Sequence, residues 1–274
     1  MSSNLVRTDK PLIAFVVFLL SGLSSNAQSN PFSWVSTRPI KAHGIEIDKL
    51  GNIYTFYDEK VDKLGSDGKP IKTDSFKKYG AIHSMDVSNP LKIMVYFEEL
   101  LQIVFLDNEL GVRGSPVELD FLGYPQTVAA CLSYDNGIWL FDKSTFQLTR
   151  LDENLRETNS TSNLMQVIGS DINPLKLFES NRRLYLTDPD EGVFIFDFYG
   201  TFSRKIPVKG ILSIDFFGRN VYFQTAEQLF VYDEEYGEMT AFELPIKNST
   251  YLAVHKNKIY LLSQNDLHIF NVNL

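Results

Sequence analysis

Four residues in the first third of the chain are of types that bind metals or move protons. His43 and His83 each stand ten residues before an apolar pair, Ile53-Tyr54 and Ile93-Met94, and Glu46 and Asp86 each stand seven before the same pairs. Two imidazoles and two carboxylates on neighbouring strands form the donor set of a divalent-cation site, and a cation held there would serve a hydrolase or a lyase. Any internal repeat produces such equivalent positions without chemistry, however, and only two of six repeat units carry the set. His43, Glu46, His83 and Asp86 are therefore candidates only. The default expectation is solvated residues at a channel mouth, with no metal, no cofactor and no catalytic residue.

Other chemistry-bearing patterns reduce to turns or core. Cys131, the one cysteine, lies in the apolar stretch Val128 to Leu132. A nucleophilic role would require a positioned His, and free cysteine is among the most buried residue types, so core packing is expected. Gly65-Ser66-Asp67-Gly68-Lys69 lacks phosphate-loop spacing, and Ser75-Phe76-Lys77-Lys78 matches Ser-x-x-Lys without companion motifs. Asp188-Pro189-Asp190-Glu191-Gly192 lacks the ligand pattern of a helix-loop-helix calcium site. All three read as turns. Asn159-Ser160-Thr161 and Asn248-Ser249-Thr250 match the glycosylation acceptor pattern and are expected in polar loops between repeats.

The elements that must position these residues recur with a period near 40. Anchors fall at Ile53-Tyr54, Ile93-Met94, Ile138-Trp139, Leu184-Tyr185, Val221-Tyr222 and Ile259-Tyr260, spaced by 40, 45, 46, 37 and 38 residues. Each anchor opens a strand preceded by a turn and by a short alternating strand, such as Ile45 to Asp48 or Leu212 to Asp215. A third strand follows, as in Leu101 to Asp107 and Gly192 to Asp197, and is degraded in the first repeat to Lys60 to Leu64. An outer strand comes next. Four strands per unit at this period is a radial array of β-sheets. The last repeat stops at Leu274 after its third strand, while Pro31 to Ser36 has no other partner. The expected fold is all-β, a six-bladed β-propeller of four-stranded antiparallel blades closed by an N-terminal strand.

The turn Asp48-Lys49-Leu50-Gly51-Asn52-Ile53-Tyr54 resembles those of the NHL and gluconolactonase-like six-bladed propellers. That resemblance covers residues 31 to 274 as architecture. The gluconolactonase-like propellers hold a divalent cation with a Glu, an Asn and an Asp from different blades. Glu46 matches the first position, but no matching Asn and Asp motifs follow in the later blades, so the resemblance implies the fold and not the hydrolase activity.

Arg7 and Lys10 precede an apolar run from Leu12 to Leu23, and Ser25-Asn26-Ala27 offers small residues for cleavage after Ala27. A run of 12 residues is short for a bilayer span, so residues 1–27 read as a secretory signal and 28–274 as a single soluble domain. The remaining 247 residues carry 24 Lys and Arg against 33 Asp and Glu. That surface repels phosphate backbones and excludes nucleic acid as a partner.

Aromatics make up 13% of the chain, and most must fill the space between blades. Phe198, Tyr199, Phe217 and Tyr236 fall in turns, where exposed aromatics anchor protein partners. An export signal, an acidic single-domain ring and no catalytic set resemble the small periplasmic propellers that associate with outer-membrane transport machines, among them the plug-like subunit of the type 9 secretion translocon. The resemblance implies a periplasmic, non-enzymatic subunit that binds an outer-membrane or envelope complex. The alternative is a metal-dependent hydrolase or lyase sited in the channel.

Overall fold

The computed structural model describes residues 31–273; the expected signal segment lies outside them. Twenty-four strands form six four-stranded antiparallel sheets, each one blade, in the order the repeat predicts. The innermost strands are Gly44–Ile47, Ser84–Asp86, Thr127–Leu132, Lys176–Ser180, Ser213–Phe217 and Tyr251–His255. Blades are numbered one to six in that order.

The anchor strands are apolar throughout because both of their faces are covered. In blade two, Ile93, Val95 and Phe97 pack towards blade one, while Met94 and Tyr96 pack towards blade three. Successive side chains of a strand point to opposite faces, so a continuous apolar run feeds two inter-blade gaps at once. Six buried clusters result, one wedge in each gap, the sixth joining Ala253 and Tyr260 of blade six to Ile45 and Ile53 of blade one. The ring is therefore closed by packing as well as by strand pairing.

Closure falls to the N-terminal strand Phe32–Pro39, which pairs antiparallel with Asp266–Val272 and becomes the outer strand of blade six. It runs three residues beyond the expected end at Ser36. A register shift between Trp34 and Ser36 leaves Trp34 66% exposed, while Phe32 is buried and meets Phe242 edge-on at 6.3 Å. The backbone N–H of Asn273 donates to the carbonyl of Pro31 at 3.0 Å, so the first and last described strands meet where a hairpin turn would sit.

The turn between first and second strands has a physical basis in each half of the ring. In blade one Asp48 Oδ1 accepts from the backbone N–H groups of Leu50 and Asn52, and Oδ2 from Asn52 Nδ2 and Tyr54 Oη. Gly51 supplies a φ of +89°. One carboxylate thus explains the Asp, the Asn and the Tyr of the motif. Blades four to six use two-residue turns instead, Asn181-Arg182, Gly218-Arg219 and Lys256-Asn257, between the paired ends of their strands. Gly65–Lys69 and Asp188–Gly192 are turns as expected, closed by Asp67 and Asp188. Asn159 is not in a loop. It pairs with Arg150 in the outer strand Glu157–Ser160, because outer strands face solvent and are built from polar residues.

The adjacency of Pro31 and Asn273 yields a test. A permutant that begins at Ile40 and appends residues 31–39 after Asn273 through a short turn should keep the β-sheet circular dichroism and melt within a few degrees of the parent. Deletion of 31–39, which removes the buried Phe32 and bares an edge, should cost about 3–5 kcal/mol and lower Tm by about 10 °C.

Candidate functional site

The six innermost strands surround a central channel, and each has one edge with no sheet neighbour. Pairing with the second residue of the anchor puts Glu46, Asp86, Cys131 and Asp215 at equivalent positions, opposite Tyr54, Met94, Trp139 and Tyr222. Three of them turn sideways to the next blade. Asp86 Oδ2 accepts from the backbone N–H of Leu132 at 2.8 Å, and Asp215 Oδ2 from that of Val254 at 2.6 Å. Cys131 lies against the backbone N–H of Glu179; burial, with the nearby Asp86 and Glu179 carboxylates, pushes its thiol well up. Ser213 Oγ serves the same purpose two residues earlier in the strand of Asp215, accepting from Leu252 N–H at 3.0 Å.

Glu46 departs from this pattern and reaches into the channel. Its Oε1 accepts from Lys176 Nζ of blade four at 2.7 Å and from Tyr251 Oη of blade six at 3.0 Å. The pair crosses the ring. Burial, together with the charges of Asp215 and Asp86, raises the Glu46 carboxyl to about 7 although Lys176 pulls the other way. Burial alone would lower the Lys176 ammonium, but Glu46, Tyr251 and Asp215 outweigh it and hold the ammonium above the usual lysine range. Asp215 is raised by burial against the pull of Lys176. One ammonium thus serves a cluster of carboxylates in a poorly solvated shaft.

The channel is a cavity of about 950 Å³. His83, Leu175 and Leu212 line it near the crossover face, Glu46, Lys176 and Asp215 lie at its waist, and Tyr134, Arg182 and Lys256 ring its opposite mouth. That mouth opens on the face carrying the first-to-second and third-to-fourth strand turns, here called the turn face.

The four metal candidates are not brought together. His43 is exposed and rests on the Tyr57 ring at 4.3 Å, on the opposite face from the channel turns. His83 Nδ1 lies 2.9 Å from Glu98 Oε2, Asp86 is held by the backbone of Ser88 and Leu132, and Glu46 by Lys176. Among the described residues no three His, Cys, Asp or Glu side chains are grouped to hold a metal. The reason is geometric: the histidines sit at one end of their strands, while the carboxylates are drawn to N–H and ammonium donors.

The four aromatic candidates all occupy the turn face. Tyr199 and Tyr236 are 60% and 64% exposed, whereas Phe198 and Phe217 are half-buried. Phe198 lies beneath the Arg182 guanidinium at 4.3 Å and meets Tyr134 edge-on at 6.4 Å; Arg150 covers Tyr134 at 5.2 Å. Phe217 packs on His255, and Arg219 lies over Tyr236 at 5.1 Å. Tyr134, 61% exposed, joins this strip and was not among the sequence candidates. Lys176, Tyr251 and Asp215 were missed as well. The two-residue turns of later blades move the equivalent position from seven to six residues before the anchor, and a strand-pair alignment would have found Asp215.

No protein-family model matches the sequence, and no curated protein matches as a relative. Solved structures match its architecture. The WD40 domain of Neurospora crassa Pan2 is similar over 89% of this chain and 96% of that one at 8% identity, with a TM-score of 0.60. A chain of a mitotic checkpoint complex is similar over 97% and 100% at 8% identity and 0.62. Virginiamycin B lyase from Staphylococcus aureus is similar over 84% and 80% at 14% identity and 0.59. Likenesses this remote in sequence define the class as β-propeller and carry no activity with them.

The buried pair sets a pH dependence. Because the Glu46 carboxyl is raised above its ordinary 4.5 to about 7, its ionisation costs the fold about 3 kcal/mol above pH 7, and this cost is relieved as pH falls towards 4.5. Lys176→Met removes the compensating ammonium and should cost about 3–5 kcal/mol at pH 8, lowering Tm by about 10 °C. At pH 5, where the stranded carboxyls take up protons, less than half of that loss should remain in thermal melts.

Proposed function

We propose that this propeller is a non-enzymatic docking subunit that seats its turn face on a protein partner. The observation that carries the reading is the set of turn-face aromatics, Tyr134 in contact with Phe198 and Phe198 with Tyr199 over blades three and four, and Phe217 and Tyr236 on blade five, capped by Arg182 and Arg219. Aromatic and arginine side chains are the residue types that dominate binding energy at protein interfaces, and here they stand on a rigid ring. The finer proposal is an exported, periplasmic disc that docks on an outer-membrane transport complex, as a plug-like subunit of a type 9 secretion translocon would. The Glu46–Lys176 contact across the channel supports that use, since a disc that blocks a pore must itself be obstructed at its centre. Its action is steric: the disc covers the opening until another partner displaces it. At the channel waist Glu46, Lys176 and Tyr251 satisfy one another, which supports a structural role for them over catalysis.

Affinity purification of the full chain from solubilised envelopes, with mass spectrometry, tests the reading. An outer-membrane channel component should co-purify, and Tyr199→Ala with Tyr236→Ala should reduce its recovery about tenfold or more without changing the melting temperature by more than a few degrees. Recovery of the wild-type protein alone sinks the docking role. A soluble partner sinks the envelope assignment only.

A further inference from the structure

The turns that ring the channel mouth are basic although the chain carries a net charge of −8. Lys49, Lys92, Arg182, Arg219 and Lys256 come one each from the first-to-second strand turns of blades one, two, four, five and six. The turn of blade three carries Asp135, which is already paired with Arg150. Arg219 is likewise neutralised by Asp233 and Glu235, and Lys92 donates to the carbonyl of Asn136 at 2.6 Å. Lys49, Arg182 and Lys256 are exposed, line the cavity mouth and make no ion pair among the described residues.

The backbone fixes where two of these cations stand. Arg182 and Lys256 hold φ of 59° and 55°, in the left-handed positions of two-residue hairpin turns. Glycine fits that conformation at lower cost and can replace either cation without straining its turn. Arg182 also joins the cationic ring to the aromatic strip through its contact with Phe198.

We infer that the channel mouth on the turn face binds a protein segment carrying carboxylate side chains, with Lys49, Arg182 and Lys256 as the charge partners and the neighbouring tyrosines as apolar anchors. This rests on the reading of the turn face as the docking face and names the chemistry of its partner. A segment of chain fits better than a broad anionic surface. The outer turns of the same face carry Asp107, Glu109, Asp152, Glu153 and Glu238, an acidic rim that repels a membrane or a nucleic acid, while a narrow segment reaches the basic ring inside it.

Fluorescence anisotropy on the full chain, with a short labelled peptide of alternating Glu and Tyr and its Gln and Lys counterparts, tests the inference. The Glu peptide should bind about tenfold tighter than the Gln peptide at low salt, and the preference should vanish near 0.5 M salt. Lys49→Glu, Arg182→Glu and Lys256→Glu together should abolish the preference. Arg182→Gly with Lys256→Gly should weaken the Glu peptide about threefold to tenfold while leaving Tm unchanged or higher, a combination that a merely structural role for these residues does not produce. Equal binding of the Glu and Gln peptides, or no effect of charge reversal, overturns the inference. So does a charge-reversal-sensitive preference for phosphatidylglycerol vesicles over the peptide, which assigns the mouth to a membrane. If the tyrosine variants release an envelope partner while the peptides do not discriminate, docking stands and the acidic segment falls. If the peptides discriminate but envelopes yield no partner, only the envelope docking role falls.

Discussion

Six strand edges face one another across a narrow shaft, and every backbone N–H on those edges must find an acceptor. A ring of blades cannot supply it by sheet pairing, because each innermost strand is the last of its sheet. An unpaired buried N–H is costly, and the chain meets the need with short polar side chains that lean towards the next blade. Asp86, Asp215 and Ser213 do this in the same rotational sense. The wedges of apolar side chains set how close the blades lie, but these lateral bonds hold the inner circle at a defined radius.

Where that pattern is broken, the ring gains its individual character. Glu46 carries one methylene more than its equivalents Asp86 and Asp215 and leaves its neighbour to cross the shaft, and Lys176 and Tyr251 come from positions two residues earlier in their own strands. The result is an asymmetric constriction in a quasi-symmetric frame. The turn face behaves similarly: the repeat fixes where turns occur, and the residues placed in them, aromatic in blades three to five and cationic near the axis, are free of it. In a repeat protein the working surface resides in what the repeat leaves unspecified.

How much of this could be read from residues alone follows from the range of each interaction. The anchors, the closing strand and the Asp48 turn were legible because their signals are local: alternation, apolar runs, and a carboxylate acting within six positions of itself. The Glu46–Lys176 contact joins residues 130 positions apart, and nothing in a single sequence marks two alternating strands as lying opposite in a ring. Asp215 escaped a fixed offset because the turns shorten after blade three. The turn aromatics were found by position but not by exposure, since a neighbouring arginine or tyrosine decides whether a ring such as Phe198 is covered.

The closing strand has a consequence for how the molecule comes into being. Phe32 and Val272 pair across 240 positions, so the first of the described strands has no place to go until nearly all the rest has been made. At roughly 5–20 residues per second this is a wait of about 10–50 s for a β-strand bearing exposed apolar residues. Once blade six has formed, its outer edge stays open until this strand docks on it. The polar residues Ser33, Ser36, Thr37 and Arg38, interleaved along a strand that needs few apolar contacts, read as protection for a segment whose hazard lies in its timing.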